Sequence, residues 1–285
     1  MKRWFMVTGA AGGLGRSLCV ACARRGYALY MTDVSARRLD ALAAGLRGAY
    51  GAETRSSVCD MTDAPSRDAL YVEIARSGIR FSGLINAAGV DKEGAFDSLG
   101  LEDIRTIMQL DMCSVAENIR SILPYRRESE LFTIINVASQ AAFQPMPYKA
   151  LYAAGKRFLL QLSLALREEL RDSGVYVAAL CPSGMPTTPE CIEAIGAQGF
   201  IGALTARNTG DVAEAALRGA LRGRAVIVPG AANRLIWALS ALTPQTWSAR
   251  YVGRRWGRAL AYRAASGPAA IPLPAPALSR GASAS

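Results

Sequence analysis

Short apolar runs alternate with longer stretches of helical period from the first residues to about position 228. Trp4 to Val7, Ala28 to Thr32, Ser57 to Cys59, Leu84 to Asn86, Thr133 to Val137, Val175 to Leu180 and Ala225 to Val228 read as strands. Between them, Leu14 to Arg25, Ala36 to Leu46, Pro65 to Arg76, Leu101 to Leu123, Leu151 to Arg171 and Asp211 to Leu221 read as helices. The strands are mostly apolar throughout instead of alternating, as suits a parallel sheet buried on both faces, and the helices are the crossovers that such a sheet requires. The expected architecture is therefore α/β, a doubly wound parallel sheet forming a single domain over residues 1–230.

After Gly230 the pattern changes. Three of the four tryptophans (Trp237, Trp247, Trp256) fall there, with arginines at 250, 254, 255, 258 and 263. Residues 231–266 read as a helical, basic, aromatic extension. Residues 267–285, rich in Pro, Ala, Ser and Gly, have the composition of a disordered terminus.

Charge follows the same division. The chain of 285 residues has 33 Lys plus Arg against 23 Asp plus Glu, a net +10. From Pro229 onward there are seven Arg and no Asp, Glu or Lys, so the first 228 residues carry 10 − 7 = +3. No histidine occurs, which excludes Ser-His-Asp and Cys-His triads, His-containing zinc sites and imidazole bases. The six cysteines are scattered, as in a reduced cytoplasmic protein. Cys19 and Cys22 form a Cys-x-x-Cys inside an apolar helical stretch, where small core residues are the favoured reading over a redox pair. The opening Met-Lys-Arg precedes an apolar run too short for a leader and reads as the approach to a buried strand.

The candidate chemistry sits where strands end. Thr8-Gly9-Ala10-Ala11-Gly12-Gly13-Leu14-Gly15 joins the first strand to the first helix, where free backbone N–H groups favour a phosphate and glycines let it approach. A tight strand-to-helix turn would look much the same. Asp33 ends the second strand 18 residues after Gly15, placed either to accept from an adenosine ribose, favouring NAD over NADP, or to cap the next helix. Arg37 and Arg38 keep NADP open. Asp60 and Met61 follow the third strand, placed for the adenine amino group and ring; Asn86, Ala87, Ala88 and Gly89 follow the fourth, leaving room for adenosine. Tyr152 and Lys156, four apart, share a helix face, and an ammonium near a phenol lowers its pKa. Ser139 ends the fifth strand, 13 residues before Tyr152.

In this order and spacing the residues resemble the short-chain dehydrogenases/reductases over roughly residues 3–230. The resemblance implies a Rossmann-like domain with a nicotinamide cofactor. Tyr152 would exchange the proton, Ser139 would polarise the substrate oxygen, Lys156 would bind the ribose, and Pro182 and Thr187 would flank the nicotinamide. Asp111 aligns with the helical Asn that completes the family's tetrad; it either keeps that residue's main-chain role in holding a relay water, or its carboxylate slows or retunes proton exchange, or it leaves a catalytically weak nucleotide sensor or scaffold on the same fold. Ser183 interrupts the usual Pro-Gly. The spacing Gly9-x-x-Gly12-x-x-Gly15 also suits the extended branch, but the Asn86–Gly89 loop favours the shorter one.

By resemblance, residues from Pro189 to Asn208 would form a substrate lid. Its Ile192, Ile195, Phe200, Ile201 and Leu204 either favour a hydrophobic alcohol or ketone or pack on the domain. A homodimer or homotetramer is expected. The stretch 233–263 either packs on the domain or a partner subunit or lies on an anionic membrane surface. No nucleic-acid recognition module accompanies the charge.

Overall fold

The computed structural model describes residues 2–187, 191–192, 195–196, 202, 204–240 and 242–266. The expected disordered tail at 267–285 and the lid positions Pro189, Phe200 and Ile201 lie outside the described residues.

Seven strands form one parallel sheet in the order β3-β2-β1-β4-β5-β6-β7. They are β1 Trp4–Thr8, β2 Ala28–Asp33, β3 Thr54–Val58, β4 Phe81–Asn86, β5 Phe132–Val137, β6 Val175–Leu180 and β7 Val226–Ile227. Strand order reverses direction at β1, so the crevice between β1 and β4 at their carboxyl ends is the topological switch point where α/β sheets bind ligands. The doubly wound expectation holds. β3 differs from its expected span of Ser57 to Cys59, because Thr54, Arg55 and Ser56 are polar and an edge strand need not be apolar on both faces.

The helices divide between two apolar layers. On one face, α1 (Gly13–Ala23), α2 (Ala36–Tyr50) and α7 (Thr209–Leu221) pack Leu18, Leu39, Leu46 and Leu217 against Phe5, Leu29 and Ile135. On the other, α3 (Ala64–Ser77), α5 (Ser114–Ile122) and α6 (Ala150–Glu169) pack Leu70, Ile119 and Leu159 against Met6, Leu84 and Ile134, with α4 (Leu101–Met108) beside α6. Sheet residues alternate between these layers, which is why their runs look uniformly apolar. Cys19 and Cys22 are free and buried in the core, where burial raises both thiols.

One departure from the expected helices shapes the site. The expected helix from Leu101 to Leu123 is interrupted by a π-helical turn at Gln109–Cys113, a wide turn of the kind that often accompanies a functional residue. Asp111 sits in it, fully buried. The extension folds as α8 (Ala231–Ser240) and α9 (Gln245–Ser266), and their inner faces pack on the body. Phe143 stacks on Trp237 at 5.6 Å between ring centroids, and Gln144 Nε2 donates to the Ser240 carbonyl at 2.6 Å.

Candidate active site

The glycine loop is tight for steric reasons. Gly9 has φ +61°, and a Cβ there would lie 2.7 Å from the Ala88 backbone; one on Gly15 would lie 2.0 Å from the Gly9 carbonyl. Thr8 holds the two loops together, its Oγ1 accepting from Ala87 N at 3.2 Å and Ala88 N at 3.3 Å. The first turn of α1 has no side-chain cap and no acidic residue, leaving its N–H groups for an anion. The Leu14 side chain packs in the core beneath the loop.

Asp33 does not cap α2; Ser35 does, accepting from Arg38 N at 3.4 Å. Instead the Asp33 carboxylate accepts from Ala11 N at 3.0 Å and Ser35 N at 3.2 Å, with the Arg38 guanidinium at 3.5 Å. It thus ties the end of β2 to the glycine loop. Asp60 is exposed and accepts from Thr62 N at 2.8 Å. Met61 departs from packing on an adenine ring: its side chain is buried in the core, with Asn118 Nδ2 at 3.7 Å from its sulfur.

Asn86 is likewise turned inward instead of into the crevice. Its Nδ2 donates to Asn136 Oδ1 at 2.9 Å and its Oδ1 accepts from Asn118 Nδ2 at 3.1 Å. The chain continues from Asn136 Nδ2 to Ser163 Oγ at 2.9 Å, and Tyr71 donates to Asn118 at 2.6 Å. This buried relay locks β4 and β5 to α5 and α6. Sequence reading missed Asn118, Asn136 and Ser163, although lone polar residues inside apolar runs are its signal.

Ser139, Tyr152, Lys156 and Asp111 converge beyond the ends of β4 and β5. Lys156 Nζ lies 5.5 Å from the Tyr152 ring centroid, so both side chains share one face of α6. The ammonium donates to Asp111 Oδ1 and to the Val137 carbonyl, each at 3.3 Å. Gly89 makes room for the pair, since a Cβ would lie 2.9 Å from Asp111 Oδ1 and 3.1 Å from Lys156 Nζ. Burial raises the Asp111 carboxyl above the usual range while Lys156 pulls it down. A backbone hydrogen bond from Val90 also acts on the Asp111 carboxyl.

One expectation needs correcting. Tyr152 is not made acidic: burial raises its pKa above that of a free phenol, the Asp91 charge raises it further, and Asp111 adds to this. A hydrogen bond with Ser139 acts the other way. Burial is the largest cause, and the neighbouring Lys156 ammonium donates to Asp111. Lys149, which sequence reading overlooked, stands on the other side, 5.8 Å from the Tyr152 ring and 5.3 Å from the Trp256 ring, paired with Asp91 at 2.7 Å and Glu93 at 3.6 Å.

The loop after β6 closes the crevice. Pro182 is buried and its carbonyl accepts from Gln140 N at 2.9 Å. Thr187 lies against the glycine loop, where a Cβ on Gly13 would meet its methyl at 2.7 Å. Asn233, in α8 and fully buried, donates to Ser183 Oγ at 3.0 Å, the Thr205 carbonyl at 3.0 Å and the Pro229 carbonyl at 2.7 Å. It anchors this loop to the extension, a link that local sequence could not show. The glycine clearances and uncapped α1 fit a dinucleotide. Among the described residues, no group of three or more His, Cys, Asp or Glu is placed to hold a metal.

Known proteins place this arrangement in a family. The family model for short chain dehydrogenases matches residues 3–191, and the chain belongs to that family. It is 28% identical over 185 residues, 63% of this chain and 58% of the relative, to the very-long-chain 3-oxoacyl-CoA reductase of Anas platyrhynchos. The chain thus spans less than two-thirds of the length of such curated relatives. Among solved structures it is similar to a short-chain dehydrogenase from Sphingobium yanoikuyae in complex with NADPH, with 30% identity, TM-score 0.72 and coverage of 84% and 93% of the two chains. It is also similar to the bulky-bulky ketone specific alcohol dehydrogenase from Comamonas testosteroni, with 26% identity, TM-score 0.70 and the same coverage.

Proposed function

We propose that this oxidoreductase interconverts a hydroxyl and a carbonyl group on a hydrophobic substrate, using NAD, with NADP as the competing cofactor. The observation that carries the reading is the placement of Lys156 Nζ 5.5 Å from the Tyr152 ring, beside Ser139 and across the crevice from the glycine loop. Gly9, Gly13 and Gly15 would admit the pyrophosphate; Asp33 and Asp60 would address the adenosine half, with Ala87 and Gly89 leaving space. Lys156, Pro182 and Thr187 would hold the nicotinamide half. The cofactor, when bound, supplies or takes the hydride.

The chain's own residues handle the oxygen and its proton. Ser139 Oγ donates a hydrogen bond to the substrate oxygen and fixes it against Tyr152. In reduction the Tyr152 hydroxyl gives its proton to that oxygen; in oxidation the phenolate removes it. Because Tyr152 is held above the pKa of a free phenol, it is protonated at neutral pH. In oxidation the proton of this phenol must leave first, so the rate of alcohol oxidation is expected to rise with pH.

An apolar substrate is supported by Ile192, Ile195 and Leu204 in the segment after β6, Ile195 approaching Gly184 so closely that a Cβ there would meet it at 3.0 Å. The relatives named for acyl thioesters and bulky ketones point the same way. A homodimer or homotetramer belongs to this reading, supported by the exposed Leu101 and Met108 on α4. The test is NADH and NADPH consumption with bulky aryl ketones and 3-oxoacyl thioesters. Reduction of apolar carbonyl compounds alone is expected; preference for phosphorylated sugars would overturn the substrate class. The second reading, a nucleotide sensor, draws on the Asp111 pair that diverts Lys156. It predicts tight NADH binding without turnover, and turnover appearing in Asp111→Asn.

A further inference from the structure

We propose that the outer face of α8 and α9 is a docking surface for an anionic lipid bilayer. The inner faces are accounted for: Asn233 and Trp237 of α8 and Ser248 and Trp256 of α9 meet the body. The opposite faces carry Leu235, Ile236 and Leu239 on α8, Leu242 between the helices, and Trp247 and Tyr251 on α9, all exposed. Leu242 and Trp247 are the extreme cases at 83% and 69% exposure. Positions 235 and 239 on α8, and 247 and 251 on α9, are four apart and so share one helix face each, with Leu242 in the turn between them. Arg234, Arg250 and Arg254 are exposed alongside.

Charge selects the occupant. From Pro229 to Ser285 there are seven arginines and no acidic residue. A second copy pairing through this face about a two-fold axis would set arginine against arginine with no carboxylate to answer. A nucleic acid would satisfy the arginines but leave Leu242, Trp247 and their neighbours unburied. An anionic bilayer satisfies both, taking leucine and tryptophan into the acyl boundary and arginine among the headgroups.

Position adds a functional consequence, which rests on the oxidoreductase reading. The same two helices cover the loop that leads into α6. A Cβ on Gly253 would lie 3.2 Å from Pro147, one on Gly257 2.9 Å from the Tyr148 hydroxyl, and Lys149 lies between the Trp256 and Tyr152 rings. A cleft of about 390 Å³ lined by Phe143, Met146, Pro147 and Gln245 opens at the start of α9. Docking would bring that apolar cleft and the loop before Tyr152 within about one helix diameter, roughly 10 Å, of the bilayer. An apolar carbonyl compound would then reach the site from the membrane.

The experiment is co-sedimentation of the full chain with vesicles of phosphatidylcholine alone or with increasing phosphatidylglycerol. Binding is expected to rise with the anionic fraction and weaken with salt. Arg250→Gln and Arg254→Gln should each cost about fivefold, and Leu242→Glu with Trp247→Glu at least about tenfold. Turnover of a water-soluble ketone without vesicles should be unchanged in all of these variants, so failure of the membrane proposal is separable from failure of the catalytic reading. A chain that stays in the supernatant at every lipid composition overturns the proposal. So does binding unaffected by the glutamates, or a dimer that shields Trp247 from an aqueous quencher.

Discussion

Asp111 adds to burial and the Asp91 charge in raising the pKa of Tyr152, the proposed proton donor. Its carboxylate occupies the ammonium that would otherwise act on Tyr152, and its own negative charge opposes ionisation of the phenol. Removing that charge in Asp111→Asn lowers the Tyr152 pKa. The ascending limb of alcohol oxidation, which follows the phenolate, should therefore move to lower pH, and the rate near neutrality should rise about tenfold for each unit of increased acidity. A pH profile of kcat/KM checks this, and Asp91→Asn should move the limb the same way. An unmoved limb would mean that another group limits proton transfer. The position of Asp111 was readable by alignment with the family's helical Asn, but its pairing with Lys156 was not. Forty-five residues separate the partners, and the π-helical turn that aims the carboxylate inward has no local pattern of its own. The glycines were more legible, because their clearances follow from the turn itself. Gly15→Ala, which puts a methyl 2.0 Å from a carbonyl oxygen, should lose about 1–3 kcal/mol of stability in a denaturant titration.

At the level of the elements, uniform apolar runs and helical spacing were enough to place the strands and most helices. They failed where an element answers to its neighbours. The edge strand β3 is mostly polar, and one expected helix is split by the π-helical turn. Asn86 ends a strand at the crevice, yet its side chain belongs to the relay through Asn118, Asn136 and Ser163. Asn136→Leu strands the Nδ2 amide of Asn86 in the core, while Ser163 keeps its bond to the Leu159 carbonyl. It should cost about 1–3 kcal/mol for the group left unpaired, seen as a lower denaturant midpoint with an unchanged slope. A loss within a few tenths of a kcal/mol would show that the core repairs the relay. Tyr148, left-handed at φ +68°, marks the same kind of constraint, its carbonyl accepting from Gly94 N at 2.8 Å while α9 packs beneath its ring.

For the whole molecule, the switch-point crevice holds both halves of the proposed chemistry, the adenosine end at Asp33 and the proton-transfer end at Tyr152. Asp33 is nine-tenths buried and bonded to Ala11 N and Ser35 N, so its charge is a fixed part of the crevice wall. Asp33→Ser, with Arg37 and Arg38 retained, should raise the ratio of NADPH to NADH use by about tenfold or more, measured as kcat/KM for each cofactor. The most direct test of the account joins turnover to binding in Tyr152→Phe. The phenyl ring keeps the packing and loses only the proton, so carbonyl reduction should fall by about 10²–10⁴-fold while NADH affinity stays within about threefold of the parent. Turnover preserved within a few-fold would contradict the assignment of Tyr152 as the proton donor.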